Sequence, residues 1–127
     1  MIAPKILVID DDASIANLLD FTLSAKGYDV RTAHDTLSGL GMALSDPPNL
    51  ILLDYALPGR DGLEFLRDMR SYADLQDTLV IMITGRGNRE LVLETRQYRV
   101  ADFIAKPFEV ELLVERVSQR VPIPEEE

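Results

Sequence analysis

Five short aliphatic runs recur along the chain, separated by longer stretches whose apolar residues fall at helical spacing. The runs are Lys5-Ile6-Leu7-Val8-Ile9, Tyr28 to Ala33, Leu50-Ile51-Leu52-Leu53, Leu79-Val80-Ile81-Met82-Ile83 and Asp102-Phe103-Ile104-Ala105. The first, third and fourth show no alternation with polar residues, which predicts strands covered on both faces. Between the runs the period changes. Ile15, Leu19 and Leu23 stand four apart, as do Phe65 and Met69, and Leu112, Leu113, Arg116 and Val117 continue the pattern near the end.

The breaks agree with this division. Gly27 ends the first predicted helix, Asp46-Pro47-Pro48-Asn49 separates the second helix from the third strand, and Pro58-Gly59 marks a turn. Asp61 is placed to cap a helix opening at Gly62. The last helix is expected to stop near Arg120, because Pro122 and Pro124 force an extended chain. Five strands alternating with five helices imply a parallel sheet with right-handed crossovers, a doubly wound (βα)5 domain of the α/β class. In such sheets the active site lies beyond the carboxyl ends of the strands, where strand order reverses. Residues of one site should therefore cluster at strand ends.

Length and charge narrow the choice further. At 127 residues, 46% of them apolar, the sequence suits one compact domain. Residues 1–121 are expected to form it, leaving 122–127 as an acidic, Pro-containing tail or the cut start of a linker. With 13 basic against 22 acidic residues the net charge is −9, so direct nucleic-acid binding is not expected. Glu125 to Glu127 supply three of those charges. The absence of cysteine excludes disulfides, thiolate metal sites and thiol nucleophiles, and His34 alone cannot build a histidine metal cluster. His34 is expected to be exposed and incidental. The N-terminus does not resemble a signal peptide, and no apolar run approaches a membrane span, so a soluble cytoplasmic protein is the expectation.

Chemistry gathers where the topology predicts. Asp10, Asp11 and Asp12 follow the first run, Asp54 the third, Thr84 the fourth and Lys106 the fifth. Asp12 fits a helix cap or a solvated acid. Two like charges about 4 Å apart repel by roughly 1 kcal/mol in water and about 4 kcal/mol at an effective dielectric of 20. Asp10, Asp11 and Asp54 together therefore call for a cation, and an oxygen-only donor set favours Mg²⁺ or Mn²⁺ over zinc. A carboxylate held among a metal, a lysine and a hydroxyl is equipped to attack phosphorus.

Four segments carry a family resemblance: Ile6-Leu7-Val8-Ile9-Asp10-Asp11-Asp12, Leu52 to Gly62, Ile83-Thr84-Gly85 and Ala105-Lys106-Pro107-Phe108. In this order they resemble the motifs of the response-regulator receiver family, across about Lys5 to Arg120. The resemblance implies the flavodoxin-like, CheY-like strand order 2-1-3-4-5. It implies that Asp54 accepts a phosphoryl group from a phosphohistidine on a sensor kinase or phosphotransfer protein, or from a small phosphodonor. Asp11, Asp54 and the backbone carbonyl of Ala56 would hold the metal, with Asp10 acting through a water. Lys106 would pair with the phosphoryl group, ahead of a cis bond to Pro107. Thr84 and Phe103 would form the switch, and the face from roughly Asn88 to Arg120 would meet an effector or a second copy. Such a protein catalyses its own phosphorylation and dephosphorylation, yet is mainly a signalling switch.

Some positions depart from the family pattern. Ala56 stands where many receivers carry a polar side chain able to contact an attacking water, and Arg86 is the second residue bordering the phosphoryl group. This pair is expected to tune the lifetime of the modified state, Ala56 lengthening it. Phe103 carries no hydroxyl, so its switching rests on packing. Arg99 lies where receivers often have glycine, and a positive φ there costs on the order of 1 kcal/mol. Two alternatives remain open at this point. One is a haloacid-dehalogenase-type phosphatase with Asp10 as nucleophile; the other is a receiver-like domain that binds partners without being phosphorylated.

Overall fold

The computed structural model describes residues 2–56, 62–85 and 89–124. Its elements run β1 (Lys5–Ile9), α1 (Ala13–Ala25), β2 (Asp29–Ala33), α2 (Thr36–Ser45), β3 (Leu50–Asp54) and α3 (Gly62–Arg70). A short 3₁₀ turn, η1 (Ala73–Leu75), leads to β4 (Leu79–Thr84). Then follow α4 (Arg89–Thr95), a second 3₁₀ turn η2 (Arg96–Tyr98), β5 (Asp102–Ala105) and α5 (Val110–Arg120). All strand pairings are parallel and the order is β2-β1-β3-β4-β5. This is the (βα)5 doubly wound, flavodoxin-like architecture expected from the alternation of elements.

Alternate strand residues feed two cores, as the two-residue period of a strand demands. Ile6, Val8, Leu50, Leu52, Ile81, Ile83 and Ile104 pack with Leu19 and Leu23 of α1 and Leu113 and Val117 of α5. Leu7, Ile9, Ile51, Leu53, Val80 and Met82 face the other side, against Phe65, Leu66 and Met69 of α3. Nearly every residue of β1, β3 and β4 is buried, which explains why those runs lack polar alternation. Helical spacing marks the buried stripe less closely in α5: Leu112 is exposed, and Arg116 turns to Asp102 at 2.7 Å.

The first helix ends as the sequence predicts. Its cap is Lys26, and Gly27 takes φ +108°, a conformation open to glycine. Tyr28, expected to open the second strand, lies one residue ahead of β2 and donates its hydroxyl to the carbonyl of Val121 at 2.6 Å, tying down the exit of α5. α5 ends at Arg120, ahead of Pro122. Arg99 does adopt the left-handed region, at φ 59° and ψ 53°. Pro58, Gly59 and Asp61, assigned to a turn and a helix cap, lie outside the described residues.

Candidate functional site

Two strands run one residue further than their apolar patterns suggest, and both extra residues belong to the site. Asp54 is the last residue of β3 and pairs with Ile83, while Thr84 is the last of β4 and pairs with Ala105. Sheet hydrogen bonding continues where hydrophobicity stops, because the ladder uses the backbone and not the side chain. Asp10 follows β1 directly, and its N–H donates to the carbonyl of Ala33 at 3.0 Å, extending the β1–β2 ladder. Lys106 follows β5, its N–H bonded to the carbonyl of Thr84 at 2.8 Å. Each side chain thus projects from a backbone already fixed by the sheet.

The carboxylates converge. Asp10, Asp11 and Asp54 each offer an oxygen within 4.8 Å of the others. Asp10 and Asp54 are only 1% and 4% exposed, while Asp11 is open to solvent. The ammonium of Lys106 lies 3.1 Å from Asp54 and 3.4 Å from Asp10, bridging the two buried acids. Backbone donors share the load: the N–H of Asp12 reaches Asp10 at 2.9 Å, and that of Ala56 reaches Asp54 at 3.2 Å. Asp12 itself caps α1, accepting from the N–H groups of Ser14 and Ile15. Gly62 opens α3 against Tyr55; a Cβ there would lie 3.0 Å from the Cα of Tyr55, so a larger residue would press the helix start away from Tyr55 by a few tenths of an ångström.

Electrostatics at this edge are strained toward needing more positive charge. Burial pushes the Asp10 carboxyl above its usual value, and the neighbouring Asp54 charge adds to that, against the opposing Asp12 N–H and Lys106. Burial works against the Lys106 charge. The hydrogen bond and charge of Asp54, followed by those of Asp10, overcome it and hold the ammonium above its usual value. One lysine bridges the two carboxylates withdrawn from water, and the third acid, Asp11, lies beside them. All three donors are hard oxygens, a set that fits Mg²⁺ or Mn²⁺.

The remaining predicted residues divide. Thr84 is buried at the same strand edge, and Phe103 is half-buried on the α3 side of β5, opposite Met82 in register. The Lys106–Pro107 peptide is cis. Ala56 is exposed beside Asp54. Arg86 lies outside the described residues. His34 is exposed, as expected, but its Nδ1 sits 3.2 Å from the Asp10 carbonyl, a proximity with no signature in the sequence.

A CheY-like parallel sheet carrying acids and a lysine at the carboxyl ends of its strands defines a receiver-type domain. The chain belongs to the response regulator receiver domain family, whose model matches residues 6–118. Chemotaxis protein CheY4 of Vibrio cholerae superimposes with a TM-score of 0.90 at 28% identity, covering 94% of this chain and 100% of that one. NtrX from Brucella abortus gives 0.83 at 34% identity over 94% of this chain, but only 27% of its own length. The BeF3-activated DrrB receiver domain gives 0.82 at 27% identity, over 94% and 98% of the two chains. The chain is thus a response-regulator receiver of two-component signalling. A phosphatase with Asp10 as nucleophile does not fit, because it leaves Asp54 without a role on the very lysine that Asp10 shares. Among the described residues no helix is long and apolar enough to cross a membrane.

Proposed function

We propose that Asp54 is the phosphoryl acceptor of this domain and that the modification switches its α4–β5–α5 face. One observation carries the proposal: Asp54 is a buried carboxylate at a strand end, 3.1 Å from the Lys106 ammonium and grouped with Asp10 and Asp11. One Asp54 oxygen attacks phosphorus while the bond from phosphorus to the donor breaks. The electron pair leaves with the imidazole nitrogen of a histidine kinase or phosphotransfer protein, or with the oxygen of acetyl phosphate. Lys106 receives the charge developing on the phosphoryl oxygens. Thr84, at the adjoining strand end, turns its hydroxyl to the new oxygens, and Phe103 repacks inward behind it.

Asp11, Asp54 and the Ala56 carbonyl would hold Mg²⁺ or Mn²⁺, with Asp10 acting through a metal-bound water. Bound there, the ion would neutralise the acids and draw charge from the transferring phosphoryl group. Residues 1–121 act as the receiver and 122–127 as a tail or linker. The α4–β5–α5 face meets an effector or a second copy, in a cytoplasmic setting shared with the kinase.

The test is incubation with acetyl phosphate and Mg²⁺, read by intact mass and peptide mapping. One phosphoryl group is expected on the peptide containing Asp54. No mass gain, with beryllofluoride also without effect, would instead make this a receiver-like binding domain.

Ala56 leaves an exposed, non-polar neighbour beside the acceptor, so no side chain there can orient an attacking water. Ala56→Asn is expected to hydrolyse the acyl phosphate several-fold faster than the wild type. Dephosphorylation followed after removal of donor checks this; an unchanged rate assigns lifetime control elsewhere, with Arg86 next to be varied.

A further inference from the structure

The last residue of α3, Arg70, donates its side chain to four backbone carbonyls. Arg70 donates from Nε to the carbonyl of Tyr98 at 2.9 Å and from Nη2 to that of Arg99 at 3.3 Å. Its Nη1 reaches the carbonyls of Leu75 at 2.8 Å and Gln76 at 3.3 Å. The four acceptors lie at the C-terminal ends of two 3₁₀ turns, η2 and η1. Terminal carbonyls there have no partner within their turn and carry the negative end of its dipole, which suits a planar cation with five fixed donors.

The ring closes through side chains. Gln76 donates its amide back to the carbonyls of Arg70 and Tyr72, and Arg99 donates from Nη2 to Gln76 Oε1 at 2.9 Å. Arg99 stands in the left-handed region, a conformation that its side chain opposes by about 1–2 kcal/mol. Its backbone oxygen is also one of the four that Arg70 holds. An arginine kept in a glycine conformation thus has its carbonyl fixed by one guanidinium, while its own guanidinium fastens Gln76. Glycine would supply the φ angle without the side-chain link.

Beyond this ring the chain returns to the sheet, where the N–H of Ala101 bonds the carbonyl of Val80 at 2.8 Å. Thr84, in the candidate site, ends β4, and α4–η2 (residues 89–98) ends at this fixed point. We infer that Arg70 is a positioning residue: with Gln76 and Arg99 it clamps the exit of α4–η2 to α3 and η1. Rearrangement set off at Asp54 is thereby kept from travelling along the chain through η2 and Arg99, and reaches Phe103 of β5 only across the sheet, where Thr84 pairs with Ala105. The confinement rests on the proposed phosphorylation of Asp54, whereas the clamp does not.

Hydrogen exchange of the full chain separates the two, with beryllofluoride and Mg²⁺ as the probe and acetyl-phosphate mass gain reporting Asp54 independently. In the unmodified wild type the amides of Arg99 and Ala101 should be protected. Arg70→Met should expose residues 96–101 at least tenfold faster, leaving β1 and β3 unchanged and phosphoryl uptake within about twofold. Beryllofluoride should alter residues 92–95 but not 96–101 in the wild type, and both stretches in Arg70→Met. Arg70→Lys keeps the charge without the fork and should behave like Met. Unchanged protection in Arg70→Met, full rescue by Lys, or an equal wild-type response at 92–95 and 96–101 overturns the inference. If Arg70→Met does not fold, Gln76→Ala decides by the same readout, with a smaller loss of protection. A wild type that gains no phosphoryl mass removes the confinement along with the proposed function, and the unmodified comparison still decides the clamp.

Discussion

Asp54→Asn is expected to accept no phosphoryl group and, without divalent metal, to unfold at a higher temperature than the wild type. The first half follows from chemistry, since an amide has no anionic oxygen to attack phosphorus. The second follows from the crowding of Asp54 with Asp10 and Asp11, where one ammonium bridges Asp10 and Asp54. At an effective dielectric near 20, each like-charge pair about 4 Å apart costs up to roughly 4 kcal/mol. The lost Lys106 pairing with Asp54 offsets part of the gain, because Lys106 keeps Asp10. A net gain of about 1–2 kcal/mol, or about 5 °C, is the expected remainder. The folded pKa of Asp10 is raised, so the wild type loses stability as pH rises through that group's titration. The advantage of Asp54→Asn should accordingly be larger at neutral pH than in acid, and should shrink when Mg²⁺ neutralises the wild-type acids. Melting curves at two pH values, with and without Mg²⁺, check it. An equal or lower melting temperature at neutral pH without metal would mean that the acids are not in electrostatic conflict.

Such a gain would show that the domain holds its acids together at the expense of stability, as functional sites commonly do. It also explains which parts of the molecule were legible from sequence. The strands β1, β3 and β4 announce themselves because burial on both faces favours apolar residues over all but their end positions. Asp10, Asp54, Thr84 and Lys106 are legible for the converse reason: polar groups stand where an apolar run ends, and the topology brings those ends together. The turn at Arg99 could be anticipated only through the family resemblance, because receivers often have glycine at that position. What holds that turn could not. Arg70 in the last turn of a helix looks like an ordinary dipole partner, and its acceptors are backbone carbonyls of residues 75, 76, 98 and 99, which carry no side-chain signature. The same limit hid the proximity of His34 to the Asp10 carbonyl and the 3₁₀ turns η1 and η2. Backbone acceptors are invisible in sequence.

Lys106→Met should separate two properties that depend on the same ammonium. Its flexible stem is only partly exposed, so methionine preserves most of the packing while removing the charge. Phosphorylation by acetyl phosphate should slow by about 10²- to 10³-fold, the size of effect seen when one donor aimed at developing charge is lost. Without metal, Asp10 and Asp54 lose their shared counter-charge, and stability should fall by about 1–3 kcal/mol, less than for a fully buried pair because Lys106 retains solvent contact. Metal affinity should move the opposite way. Lys106 competes for the carboxylates that would hold Mg²⁺, so its removal should tighten Mg²⁺ binding several-fold, measured by titration calorimetry or by the rise in melting temperature with Mg²⁺. Slow phosphorylation combined with tighter metal binding identifies Lys106 as a partner of the phosphoryl group. If metal binding weakened along with the rate, its main task would instead be to hold the two acids in place.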